Sequence, residues 1–244
     1  EPANAAPTFT KDVAPIVQRS CQTCHRPGQM GPMSLLTYEE VRPYARAIKA
    51  KVSSREMPPW GVDRYLGIQE FKNDISLSDS EIATIERWVD AGAPMGDPAH
   101  LPAPRKFNND YEWTLPETPD LVVTSPPYTT EANGKQIWVE KMSDVIELKE
   151  DRWVKAYQAR PSKEGSRVIH HMVAYIVKPD GETDGYGLHY VPGKPATVYP
   201  EGAGFLLRAG SKINFTVHHD SVDVSITDRP QIGVLFHPKG YEPP

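Results

Sequence analysis

Only two cysteines occur in this 244-residue chain, and both lie in one five-residue run, Cys21-Gln22-Thr23-Cys24-His25. Two thiols three positions apart, with a histidine directly after the second, form the attachment pattern of a c-type haem. The spacing has a chemical reason. The two thiols add across the two vinyl groups of one porphyrin, and the adjacent imidazole ligates the iron. A structural zinc knuckle would need a second pair of Cys or His ligands at matching spacing, and no further cysteine exists. A thioredoxin-like dithiol would follow a strand and open a long helix; the flank here does neither. A haem iron commonly takes methionine as its sixth ligand. Met30, Met33, Met57 and Met95 are candidates. Met57, in "REMPPW", is preferred because two prolines stiffen its loop, whereas Met30 and Met33 lie so close to His25 that the chain would have to turn sharply to reach the other haem face.

Histidine is the second residue type that could do chemistry. His170 and His171 lie inside the apolar run "VIHHMVAYIV", and His218 and His219 inside "INFTVHHD". His100, His189 and His237 are single, and a lone strand histidine is usually a satisfied or half-exposed side chain. Two His-His pairs on two strands point instead to a metal, since imidazole suits zinc, copper, iron and nickel. Neighbouring strand residues point to opposite faces. His170 and His171 can therefore share one ion only if their strand is distorted or lies at an edge.

The surrounding elements must position these groups. Val13, Ile16 and Val17 fall on one helical face just before the cysteines. Thr37 and Glu40 form a capping box for a helix carrying Val41, Tyr44, Ala45 and Ile48, with Pro43 predicting a kink or a later start. Ser78 and Glu81 form a second capping box, followed by an apolar face of Ile82, Ile85, Trp88 and Val89 and ended by Gly92 and Pro94. Three short helices around the motif predict a small all-α cytochrome c (haem c) domain over residues 1–98. Residues 99–120, rich in Pro, Asn and Asp, read as a linker. After it the apolar period becomes two, in "IWVEKMSDVIELKEDRWVKAYQARP", "SRVIHHMVAYIV", "SKINFTVHHDSV" and "QIGVLFHP". Residues 121–244 are thus expected to be an all-β sandwich or jelly roll, giving α and β in separate domains.

Bulk composition narrows the function classes. The net charge of −5 without a long basic run argues against nucleic acid or an anionic membrane surface as the main partner. No apolar run approaches the ~20 residues of a bilayer span. The 25 prolines, about twice the usual ~5%, predict turns and edge strands rather than long helices. Haem c is attached outside the cytoplasm, so a periplasmic or otherwise exported protein is expected. The polar start "EPANAAPTF" fits a mature end left by processing.

The segments "RVIHHMVAYIV", "YPEGAGFLLRAGSKINFTVHHD" and "QIGVLF" together resemble the N-terminal copper domain of the copper type II, ascorbate-dependent monooxygenases, the family of peptidylglycine α-hydroxylating monooxygenase and dopamine β-hydroxylase. The resemblance implies a jelly-roll copper domain with His170, His171 and His218 as ligands and His219 in a place where the family often has an aromatic residue. The order of haem motif, "PDLVV" and HHM strand is similar to bacterial fusions of the two modules. That family also uses a second, oxygen-activating copper held by a His-x-His pair and a distant Met, and this chain has no His-x-His. The matched site is therefore the electron-relay copper.

Three functions follow in order. The first is a redox relay between a haem c and a tris-His copper, serving a copper-dependent monooxygenase-like system through a redox partner protein or a membrane electron-transfer complex. The second is an enzyme whose single copper activates oxygen. The third is a non-catalytic scaffold subunit of a membrane redox complex with a vestigial copper site.

Overall fold

The computed structural model describes residues 6–244 except Arg64, Gln69 and Lys72, and all of Tyr186 but its side chain. The expected processed start falls on residues 1–5, outside the described residues. The chain divides into two compact units, Glu1–Pro27 with Gly31–Phe107, and Gly28–Met30 with Asn108–Pro244.

The first unit is held by a core around Phe9, Val17, Val41, Ile85 and Trp88. A π-helical turn (Phe9–Val13) runs into α1 (Ala14–Ser20). α2 (Tyr38–Val41) starts at Thr37 and α4 (Asp79–Asp90) at Ser78, each with both halves of its capping box formed. Pro43 cannot supply an interior N–H, and a 3-10 turn over Arg42–Tyr44 separates α2 from α3 (Ala45–Ser53). Gly92 follows α4 at φ +86°, a conformation that favours glycine. The Trp88 indole donates to the Pro94 carbonyl at 2.9 Å. Residues 103–107 belong here: Gln18 donates to the Ala103 carbonyl and Arg105 to the Gln18 carbonyl.

The expectation of a separate all-α cytochrome c domain is corrected by this structure. The regular structure of the chain is mainly β, with eleven strands against four short α-helices among the described residues. The longest helix has 12 residues. Residues 21–37 and most of 54–78 run as turns and irregular chain. The physical reason lies in the segments between the apolar faces. Pro27, Gly28, Gly31 and Pro32, then Pro58, Pro59, Gly61 and Gly67, interrupt the backbone hydrogen bonding or loosen the chain wherever a helix would have to continue.

The second unit is two antiparallel sheets around one core. One sheet has the order β1 (Leu121–Thr124), β11 (Gln231–Phe236), β4 (Arg152–Arg160), β7 (Thr197–Val198), with β8 (Phe205–Leu207) also on β4. The other has the order β3 (Ile137–Met142), β9 (Lys212–His219), β5 (Ile169–Val177), β6 (Thr183–Tyr190). A short pair joins β2 (Tyr128–Thr130) to β10 (Ile226–Asp228). Val154, Tyr157 and Ile232 of the first sheet meet Met172, Ala174, Phe215 and Val217 of the second in one buried cluster. The single strand-like run expected over residues 137–161 is two strands, β3 and β4, in different sheets. Residues 108–120 pack on this unit. Thr114 N–H donates to Gln158 Oε1 at 2.6 Å, and Leu115 is buried.

Candidate metal centre

β9 alternates strictly between covered and uncovered residues along its length. Val217 and His219 point into the core, so His218 points out. His219 is 1% exposed and its ring lies 5.0 Å from that of Tyr128. Burial, chiefly, pushes its pKa down to about 4.

β5 alternates as well, with Met172, Ala174 and Ile176 inward, but its phase slips at one place. Ile169 and Met172 are both fully buried with only His170 and His171 between them. Opposite β9, Ile169 pairs with His219 and His171 with His218, so β5 carries one extra residue there. That residue, His170, is a β-bulge, which kinks a strand and re-aims a side chain. β5 lies between β9 and β6 rather than at a sheet edge. Of the two routes open to adjacent ligands, the strand takes distortion.

The bulge brings three imidazoles into a nearly equilateral triangle. Ring centroids are 5.1 Å apart for His170–His171, 5.1 Å for His170–His218 and 5.0 Å for His171–His218. One ring nitrogen from each lies within 4.8 Å of the others, so the group can hold a metal ion. Nδ1 of His170 and Nδ1 of His171 face each other at 2.9 Å. Nδ1 of His218 is buried without a hydrogen-bond partner. Buried polar atoms in folded proteins are nearly always paired; both ring nitrogens of His219 are likewise unpartnered, but only His218 belongs to a group that could hold an ion.

Electrostatics favour the same use. Burial lowers the pKa of His170 and His171, and the neighbouring imidazoles lower them further, with Asp220 opposing at His170. Neutral rings keep the lone pairs that bind metal. Asp220 is itself held by Ser221 N–H at 2.8 Å and Gln136 Nε2 at 3.3 Å.

The sequence reading did not single out Trp138. It lies on edge strand β3 directly opposite His218. Its indole stacks on His218 at 4.7 Å and 4° and meets His171 edge-on at 4.9 Å. The signal available in "IWVEKM" is a large aromatic on the outward side of a strand whose inward Val139 is buried. The single histidines lie outside this group. His237 Nε2 lies 3.1 Å from the Ala203 carbonyl, and its ring stacks on Tyr241. His189 lies on β6 and His100 in an exposed 3-10 turn.

The cysteine motif sits in the first unit, where α1 ends. Cys24 and His25 both donate backbone N–H groups to the Cys21 carbonyl. Gly31 N–H and Leu35 N–H return to the Cys24 and His25 carbonyls, both at 3.0 Å. The approach is so close that a Cβ on Gly31 would lie 2.6 Å from the Cys24 carbonyl oxygen and 2.8 Å from His25 Nδ1. His25 Nδ1 is 3.3 Å from the Met33 carbonyl oxygen. In the tautomer in which it donates there, Nε2 keeps its lone pair for a metal. Burial, chiefly, lowers the His25 pKa and pushes the Cys21 thiol up to about 12. A redox-active dithiol requires a depressed thiol pKa, so this microenvironment argues against that use.

Met57 donates its N–H to the Lys51 carbonyl at 3.1 Å. It lines a cavity of about 460 Å³ with Val52, Trp60, Leu77 and Ile82, and neither the cysteines nor His25 line it. Met33, by contrast, packs with Cys21 against the core of the unit. No protein-family model matches the chain, and no curated protein matches it. Among the described residues, no helix is long and apolar enough to cross a membrane.

Proposed function

We propose that this chain is an exported redox protein with two metal centres. Cys21 and Cys24 hold a covalent haem c with His25 on its iron, and His170, His171 and His218 hold one copper ion. Electrons pass between these centres and a redox partner, either a soluble protein or a membrane electron-transfer complex. The chain then acts as the electron-transfer part of a copper-dependent monooxygenase-like system.

The observation that carries this reading is the bulge at His170. It costs β5 its regular pairing and turns two adjacent histidines toward a third, which an all-β core does not need for stability. The donor set is three imidazole nitrogens without a carboxylate or thiolate, a set that suits zinc, copper, iron and nickel, among which copper(II) binds such sites most tightly. Copper supplies one-electron chemistry there. The protein's part is to hold three imidazoles on rigid strands, so little rearrangement accompanies a change of charge.

Support for haem is the motif itself, the Met33 carbonyl that can accept the His25 Nδ1 proton and leave Nε2 free, and the exposed apolar side chains that follow Met57. Tyr65, Leu66 and Ile68 are largely exposed, apolar side chains that a haem face would cover. Met57, which two prolines follow, is the proposed sixth ligand.

The test is metal analysis with an optical spectrum of the full-length chain. One haem surviving denaturation and one copper per chain are expected. Cys21→Ala with Cys24→Ala should abolish covalent haem. Copper stoichiometry should be lost in His170→Ala and His171→Ala but kept in His189→Ala, His237→Ala and His100→Ala. A folded chain that takes up no copper at micromolar free metal overturns the copper half and leaves a scaffold role. Substrate-dependent oxygen consumption by the isolated chain would move it from relay to enzyme.

A further inference from the structure

We infer that Trp138 is a positioning residue for the tris-His centre, one that sets both its metal affinity and its preference between oxidation states. The inference rests on the copper reading above. Three observations lead to it. Trp138, His218 and His171 form one row across β3, β9 and β5, each directly opposite the next. The indole is parallel to the His218 ring within 4° and presents its face to it, while meeting His171 edge-on. Yet the residue remains 55% exposed and belongs to no buried core cluster, so what covers it is the pair of imidazoles rather than the packing of the core.

The physical consequence has two parts. First, the stack limits rotation of His218 about its χ angles, and the edge contact does the same for His171. Two of the three donors are then held near their bound orientation before metal arrives. Groups that orient metal ligands are worth ~10–100-fold in affinity. Second, the face of an indole is electron-rich and attracts positive charge. An imidazole bound to copper(II) carries more positive character than one bound to copper(I). The stack therefore stabilises the oxidised form more and holds the reduction potential down.

The experiment uses the full-length chain and copper alone. Affinity is measured by competition with a chelator of known strength, and the copper potential by titration followed through the copper(II) paramagnetic signal. Trp138→Ala should weaken copper(II) binding by roughly tenfold and copper(I) binding by less. A three- to tenfold loss of copper(II) preference corresponds to a rise in potential of roughly 30–60 mV, at ~59 mV per tenfold for one electron. Trp138→Phe, which keeps an aromatic face, should fall between wild type and Trp138→Ala in both measurements. A merely structural role would leave the potential unmoved. If the wild-type chain binds copper and Trp138→Ala matches it in affinity and potential, the inference is wrong. The same holds if Trp138→Phe behaves no better than Trp138→Ala. If the wild type binds no copper, the copper reading itself has failed and this inference falls with it.

Discussion

Replacing His218 by alanine should separate the stability of the fold from the stability conferred by metal. If the wild type binds copper as proposed, free copper buffered at ~100 times its Kd should stabilise the folded state by about 2.7 kcal/mol. For a unit of this size that is roughly 3–4 °C per kcal/mol, an upward shift in Tm on the order of 8–11 °C. His218→Ala leaves two imidazoles. The loss of a ligand is worth at least the ~100-fold upper end of a supporting-group loss, so the same copper concentration then only equals Kd. The remaining stabilisation is RT ln 2, about 0.4 kcal/mol, or roughly 1–2 °C.

The metal-free comparison has a different expected outcome. Nδ1 of His218 is buried without a partner, a penalty of about 1–3 kcal/mol that alanine removes. Alanine also removes the stack on Trp138, worth about 0.5–1.5 kcal/mol, and some burial. The two nearly cancel, and the metal-free variant should melt close to metal-free wild type. Calorimetry of both proteins with and without copper gives all four values. Retention of the full copper shift in His218→Ala would refute the ligand assignment. A metal-free loss greater than about 3 kcal/mol would refute the claim that this imidazole is unsatisfied without an ion.

Two further outcomes test the frame around the sites. Gly31→Ala must push a methyl group into the Cys24 carbonyl and His25 Nδ1; overpacking of this kind costs about 1–3 kcal/mol, so the variant should melt lower and show a perturbed haem spectrum, both visible in one optical thermal scan. Asp228 is buried with Oδ2 unpartnered, and burial, chiefly, raises its pKa above 3.8. The folded state then binds its proton more tightly than the unfolded one, so its favourable contribution is complete below 3.8 and lost as pH rises through the folded value. Asp228→Asn keeps an acceptor for Ser162 N–H and Oγ, which now meet Oδ1 at 2.9 and 2.5 Å; it should flatten that part of the stability–pH curve, and an unchanged curve in denaturant titrations would remove Asp228 from the account.

Local chemistry was legible from the amino-acid order alone. A C-x-x-C-H motif is a matter of neighbours along one turn, and so are the capping boxes at Thr37–Glu40 and Ser78–Glu81, which form as their spacing requires. At the candidate metal centre the order of residues left two routes open, a distorted strand or an edge position, and the structure takes the first. Ile169 and Met172 are both buried, which requires one extra residue between them, and that burial is a fact of the fold rather than of the four letters "IHHM". The all-α expectation for the N-terminal part failed because it weighed three apolar helical faces and passed over the Pro- and Gly-bearing segments between them, where no repeating hydrogen-bond pattern can be sustained. What only the tertiary structure decided is which strands stand beside one another. Trp138 and His218 are far apart in the chain, and their meeting depends on β3 taking the edge next to β9 in a particular register. Register follows from the summed burial of every inward side chain in the sheet, a quantity that no single stretch of sequence contains.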